Sequence, residues 1–231
     1  MPGGGKVTVF GPHPMLSITI EALTSEGGDD IHLHAAGKGA WVARMAAELG
    51  ARPVLRGFIG GESGIVLRPL LERMDVEMRL VETAEASGAY LHDRRSGERV
   101  PIAQSAAMPP SRHEIDELFS ATVAAAIDSE VLALCGPYPG EALPLEIYGK
   151  LVADVKANGT PVIVDLSPPR LDSALEGGPD LVKDQRRGAG SLHRGTGRLR
   201  RAHARCGATP ARRRRRRSDR HPRRGASDGD A

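Results

Sequence analysis

The apolar patterning of this chain stops at Lys183, and that stop separates what can form a packed fold from what cannot. Across residues 6–183, short β-rich runs alternate with helical runs. Residues 184–231 contain no Ile, Val, Phe, Tyr, Trp, Met, Glu, Asn or Lys. A sheet or an amphipathic helix needs an apolar face to bury, so residues 1–183 are expected to form the folded domain and residues 184–231 a disordered Arg-rich tail. The charge divides at the same place. The tail holds 16 Arg against Asp184, Asp219, Asp228 and Asp230, a formal +12, which out of the overall +3 leaves −9 for residues 1–183. The body is therefore acidic and its charge gives no argument for nucleic-acid binding.

Within 231 residues that are 40% hydrophobic, one domain or a domain with a small appendage can bury a core. The opening "MPGGGKVTVFGPHPM" has no charged segment followed by a long apolar one, and no apolar window reaches the roughly eighteen residues of a membrane span. A soluble cytoplasmic protein without a membrane partner is expected. Cys135 lies in an apolar run and Cys206 in the polar tail, a poor basis for a disulfide scaffold.

"KVTVF" predicts a first strand broken by "GPHP", and "LSITIEA" alternates as a half-exposed strand does. Val42, Met45, Ala46 and Leu49 recur at helical spacing, with Gly50 as the stop. "RPVLRGFIGG" reads as a strand running into a glycine loop, and "SGIVLRPLLERM" as the helix after it. "VEMRLVE", "SGAYLHD" and "ERVPIAQ" follow without intervening helices, the last two joined by a turn at "RRSGE". They predict an antiparallel flap, joined by "LSITIEA". Helix, strand, helix and strand then resume over residues 111–127, "VLALCGP", "LPLEIYGKLVADVKANG" and "PVIVDLSP", with "DLVK" opening another strand. The whole predicts a largely parallel sheet covered by helices.

Two glycine loops are the candidate binding elements. Gly37, Lys38 and Gly39 stand directly before a helix, where unpaired N–H groups and a lysine suit a phosphate or a polyhydroxylated ligand; a simple turn is the competing reading. Gly60, Gly61 and Gly64 in "GFIGGESG" allow ligand contact or close chain packing. In an open α/β sheet such loops line the ligand crevice. Asp165, just after a strand, is placed to approach a metal or substrate, or to cap the next helix. His32 and His34 fall on one face of a strand without a third ligand at a recognisable spacing, which favours a solvated face over a metal site. His13 reads as a loop residue.

Together "AAGKGAWVARMAAELGARPVLRGFIGGESG", the flap, and "VIVDLSPPR" followed by "DLVK" resemble the PfkB, or ribokinase-like, carbohydrate kinases, nearest to their 1-phosphofructokinase branch. The resemblance runs over about residues 6–183. It implies a three-layer α/β fold, a mostly parallel sheet with helices on both faces and a small antiparallel β-lid, C-terminally incomplete here. It implies phosphoryl transfer from ATP with Mg2+ to a sugar or sugar phosphate, and a homodimer through the lid. Ser17 stands where these kinases usually carry a sugar-binding Asp, Trp41 where the signature has Asn, and Ala36 where it has its first glycine. The resemblance makes Ser17, Gly37, Lys38, Gly39, Trp41, Gly60, Gly61, Gly64 and Asp165 the candidate substrate-binding residues. The catalytic Asp of the family's Gly-Ala-Gly-Asp motif is absent from the chain, so the catalytic residue is unknown and little or no activity is expected.

After "LVK" the family continues with Pro or Ile, then Asn-x-x-Glu-Leu. If residues 184–190 are encoded GAT CAA CGA CGG GGA GCT GGC, the frame one base later reads Ile-Asn-Asp-Gly-Glu-Leu. A one-base frameshift after Lys183 therefore explains both the missing motif and the Arg-rich composition. A genuine basic tail, binding nucleic acid non-specifically, is the alternative. A non-catalytic sugar-phosphate-binding module is a further one.

Overall fold

A computed structural model describes residues 4–23, 27–136 and 143–183. All belong to the first of the two units into which the chain divides, Met1–Gly195; the second, Thr196–Ala231, lies outside the described residues, as does the expectation of a disordered tail.

The main sheet has the order β10-β9-β8-β1-β4-β5, with every neighbouring pair parallel. Its strands are β1 (Lys6–Phe10), β4 (Arg52–Gly60), β5 (Glu77–Thr83), β8 (Val131–Cys135), β9 (Val162–Asp165) and β10 (Leu181–Val182). Alternation along the strands feeds two cores. Phe10, Leu132, Leu134, Val162 and Val164 face α3 (Arg112–Ile127) and α4 (Glu146–Ala157). Val9, Leu55, Ile59 and Cys135 face α1 (Lys38–Glu48) and α2 (Gly61–Glu72). Residues buried on both faces of one sheet make three layers, as the sequence led one to expect.

The helix ends follow local chemistry. Gly50, at φ 86°, ends α1: its N–H donates to Ala47 and the Ala51 N–H to Ala46, at 2.8 and 2.9 Å. Ser111 and Glu114 close a reciprocal capping box at the start of α3. A short α5 (Arg170–Glu176) follows β9.

The second sheet has the order β3-β2-β6-β7, from β3 (Asp29–Ala36), β2 (Met15–Ala22), β6 (Ala89–Asp93) and β7 (Val100–Ser105). It is antiparallel except for the parallel β2–β6 pair. The expected hairpin turn is there, with the Gly97 N–H donating to Arg94 at 2.9 Å. One expectation fails. "VEMRLVE" is not a flap strand: β5 pairs in parallel with β4 over Val54–Gly60, because α2 lies between them in sequence and returns the chain to the same sheet edge. The opposite edge, β10, is two residues long, and Leu181 there is exposed.

Candidate active site in the cleft under the lid

β1, β8 and β9 end side by side, and α1 begins at that same end of the sheet. The N-cap of α1 is Gly37, at φ 106°, a backbone that favours glycine and gives the helix start no capping side chain. A cleft of about 570 Å³ lies between this end and the second sheet. Gly37, Lys38, Trp41, Gly136, Ser167 and Arg170 line it from the main sheet; Met15, Tyr90, His92, Arg99, Pro101 and Gln104 line it from the lid.

The cleft is cationic although the body is acidic. Lys38, Arg99 and Arg170 line it, and among the described residues no Asp or Glu does. His92 is not a fourth cation at neutral pH, since burial and then the Arg99 charge lower its pKa. Arg99 lies over the Tyr90 ring, 5.2 Å from its centroid.

Beside the cleft, Asp165 is buried at the end of β9 and binds two lysines. Lys38 Nζ donates to Oδ1 at 3.1 Å and to the Asp165 carbonyl at 3.3 Å; Lys183 Nζ donates to Oδ2 at 2.8 Å. Asp165 does not cap α5, whose N-cap is Pro169. Hydrogen bonding to Asp165 raises the Lys183 pKa. Cys135, in register with Asp165, has its thiol pushed up to about 12 by burial and then by the Asp165 charge, so it stays a protonated core side chain.

The remaining expected residues divide. Gly39 packs against backbone: a Cβ there would meet Gly11 Cα at 2.4 Å. Gly60 and Gly61 would likewise meet Thr83 O and Ala86 Cα, at 2.1 and 2.6 Å, and with Gly64 they line a separate cavity of about 240 Å³. Ser17 is buried in β2, in register with Tyr90 and so on the lid face that looks into the cleft, without lining it. His32 and His34 share a face of β3, their rings stacked at 6.0 Å. His13 is a buried loop residue against Phe58, its pKa lowered to about 4 by burial and then by Arg170.

The sequence reading missed Tyr90, His92, Arg99, Gln104 and Arg170. Alternation in "SGAYLHD" puts Tyr90 and His92 on one face, but which face meets the cleft depends on pairing with β2.

A parallel sheet between two helical layers, with a lid sheet over its C-terminal end and a cationic cleft between, defines a ribokinase-like α/β protein. The profile of the pfkB family carbohydrate kinases matches residues 16–193, and the chain belongs to that family. It is 28% identical over 152 residues to a 1-phosphofructokinase of Vibrio cholerae, covering 65% of this chain and 47% of that protein. Escherichia coli phosphofructokinase-2 in complex with potassium superposes with a TM-score of 0.65 at 26% identity, covering 77% of this chain and 59% of the other. The same enzyme in complex with substrates and products gives 0.63 at 25% identity, with 77% and 59% covered. The chain thus spans about half to three fifths of the length of these relatives.

Proposed function

We propose that this is a PfkB-type carbohydrate kinase, which in complete form transfers phosphate from ATP, with Mg2+, to a hydroxyl of a sugar or sugar phosphate in the cytoplasm. The observation that carries the reading is the cleft itself, cationic within an acidic body, at the end of the sheet where α1 begins and under a lid. In this reading Gly37, Lys38 and Trp41 contact the substrate directly. Ser17, Gly39 and Asp165 support that contact, and Gly60, Gly61 and Gly64 shape the neighbouring loop.

ATP would supply the transferred phosphoryl group. Among the described residues no group of three or more His, Cys, Asp or Glu is placed to hold a metal ion, so Mg2+ would depend on the phosphates of ATP for most of its ligands. No Gly-Ala-Gly-Asp occurs in the 231 residues, which leaves the acceptor hydroxyl without the family's base. We read residues 184–231 as out-of-frame sequence and residues 1–183 as a truncated kinase domain. On this account the chain binds its substrate with little or no turnover.

The test uses the single tryptophan, Trp41, which lines the cleft. Titrating the chain with fructose 1-phosphate or fructose 6-phosphate is expected to change its emission, while a coupled assay with ATP and Mg2+ shows no sugar-phosphate-dependent turnover. Turnover at rates typical of enzymes, about 1 per second or faster, would overturn the impairment. No change in emission would overturn the sugar site.

The absent motif is also what favours a second reading, a binding module that keeps the pocket without chemistry. The +12 tail favours a third, nucleic-acid binding. That binding is expected to weaken steeply with salt and to vanish on deletion of residues 184–231. A homodimer through the lid has support from register. Ile18, Ile20, Ile31, Leu33 and Leu91 share the lid face opposite Ser17 and Tyr90, and Ile31 is 59% exposed.

A further inference from the structure

Arg170 is more than 90% buried, yet it lines the cleft. It opens α5 directly after Pro168 and Pro169, whose rings restrict the backbone that aims it. Two buried neighbours feel its charge: burial and then Arg170 hold His13 near 4, and burial raises the Tyr148 hydroxyl against the pull of Arg170. Arg99 approaches the same cleft from the lid, braced on Tyr90. Among the described residues, few neutral side chains for reading sugar hydroxyls stand beside these cations, chiefly Ser167, Gln104 and Tyr90. A guanidinium offers a planar fork that matches phosphate oxygens two at a time, which a lysine cannot do.

We propose that Arg170 is a specificity-determining residue: from the cleft floor it holds the phosphate of a phosphorylated acceptor, with Arg99 meeting the same group from the lid. The inference rests on the sugar-kinase reading and deepens it, since it commits the cleft to a phosphorylated acceptor rather than a neutral sugar or nucleoside. Placement favours the acceptor's phosphate over the nucleotide's, because Arg170 shares its cavity with the lid residues Tyr90, Arg99 and Gln104.

The test is a set of Trp41 fluorescence titrations on the full chain with fructose, fructose 1-phosphate, fructose 6-phosphate and ATP, for wild type, Arg170→Gln, Arg170→Lys and Arg99→Gln. Circular dichroism and thermal melts establish that each variant is folded. Wild type is expected to prefer at least one sugar phosphate over fructose. Arg170→Gln is expected to lose that preference by about tenfold or more with fructose binding unchanged, and Arg170→Lys to lose part of it. Arg99 is exposed, so Arg99→Gln carries the test even if the buried variants do not fold; a smaller loss of the same preference is expected. An unchanged preference in every folded variant overturns the assignment and leaves the sugar site standing. Weakening confined to ATP overturns it in favour of a nucleotide contact. Wild type that binds none of the four ligands sinks both readings.

Discussion

At the residue scale, buried His13 makes the stability of the fold depend on pH. An ordinary histidine titrates near 6.5, and burial with Arg170 holds this one near 4. Between those values the unfolded chain binds a proton that the folded chain refuses, so the contribution is complete above pH 6.5 and is lost as pH falls towards 4. The gap corresponds to roughly 3 kcal/mol. Urea unfolding at pH 7 and pH 4.5 is expected to show that loss, and His13→Asn should flatten the slope. If the variant keeps the wild-type slope in this window, the effect belongs to other groups. Asp93 does not confound it, because its carboxyl, held near 2 by Arg95, releases its contribution at lower pH.

At the element scale, the glycines of the two loops do different work from Gly50. Gly39→Ala places a Cβ 2.4 Å from Gly11 Cα and should destabilise by roughly 1–3 kcal/mol, even though alanine is the better helix former. Gly50→Ala meets open space and should lose only roughly 1 kcal/mol from its left-handed backbone. Thermal melts that rank the two the other way would remove the packing role of Gly39. Helix α1 was legible because its signals are local, namely apolar spacing and a glycine stop, and the helix expected over residues 111–127 is α3, which starts on a capping box. β5 was misplaced because alternation reports that one face of a strand is wet and not which sheet it joins. "VEMRLVE" is an edge strand, which alternates as a lid strand does. The glycine loop before α1 could be found from sequence. Arg99 and Arg170 could not, since they meet only through the packing of elements some seventy residues apart.

At the scale of the whole molecule, the apolar outer face of the lid predicts self-association. Sedimentation of the chain is expected to show a dimer that Ile31→Glu with Leu33→Glu converts to monomer; a monomeric wild type would remove this surface as an interface. Among the described residues β10 ends the sheet with Leu181 exposed, which predicts a second, less specific association that adding a matching strand would suppress. The glycine contacts have a mechanical consequence. The chain passes from body to lid at residues 11–14, returns at Gly37, and crosses again at residues 84–88. Gly11 rests on Gly39, Gly37 on His13, Gly60 on Thr83 and Gly61 on Ala86. Were the lid to tilt as a lever, the contacts of Gly11, Gly37 and Gly61 beside these crossings would be its bearings. With β2 about 26 Å long at ~3.3 Å per residue, a tilt of about 10° at the bearing would carry the far end about 4–5 Å. Lys38, seated at the pivot, would hardly move, so the lid's grip on a ligand can tighten while the floor of the cleft keeps its aim.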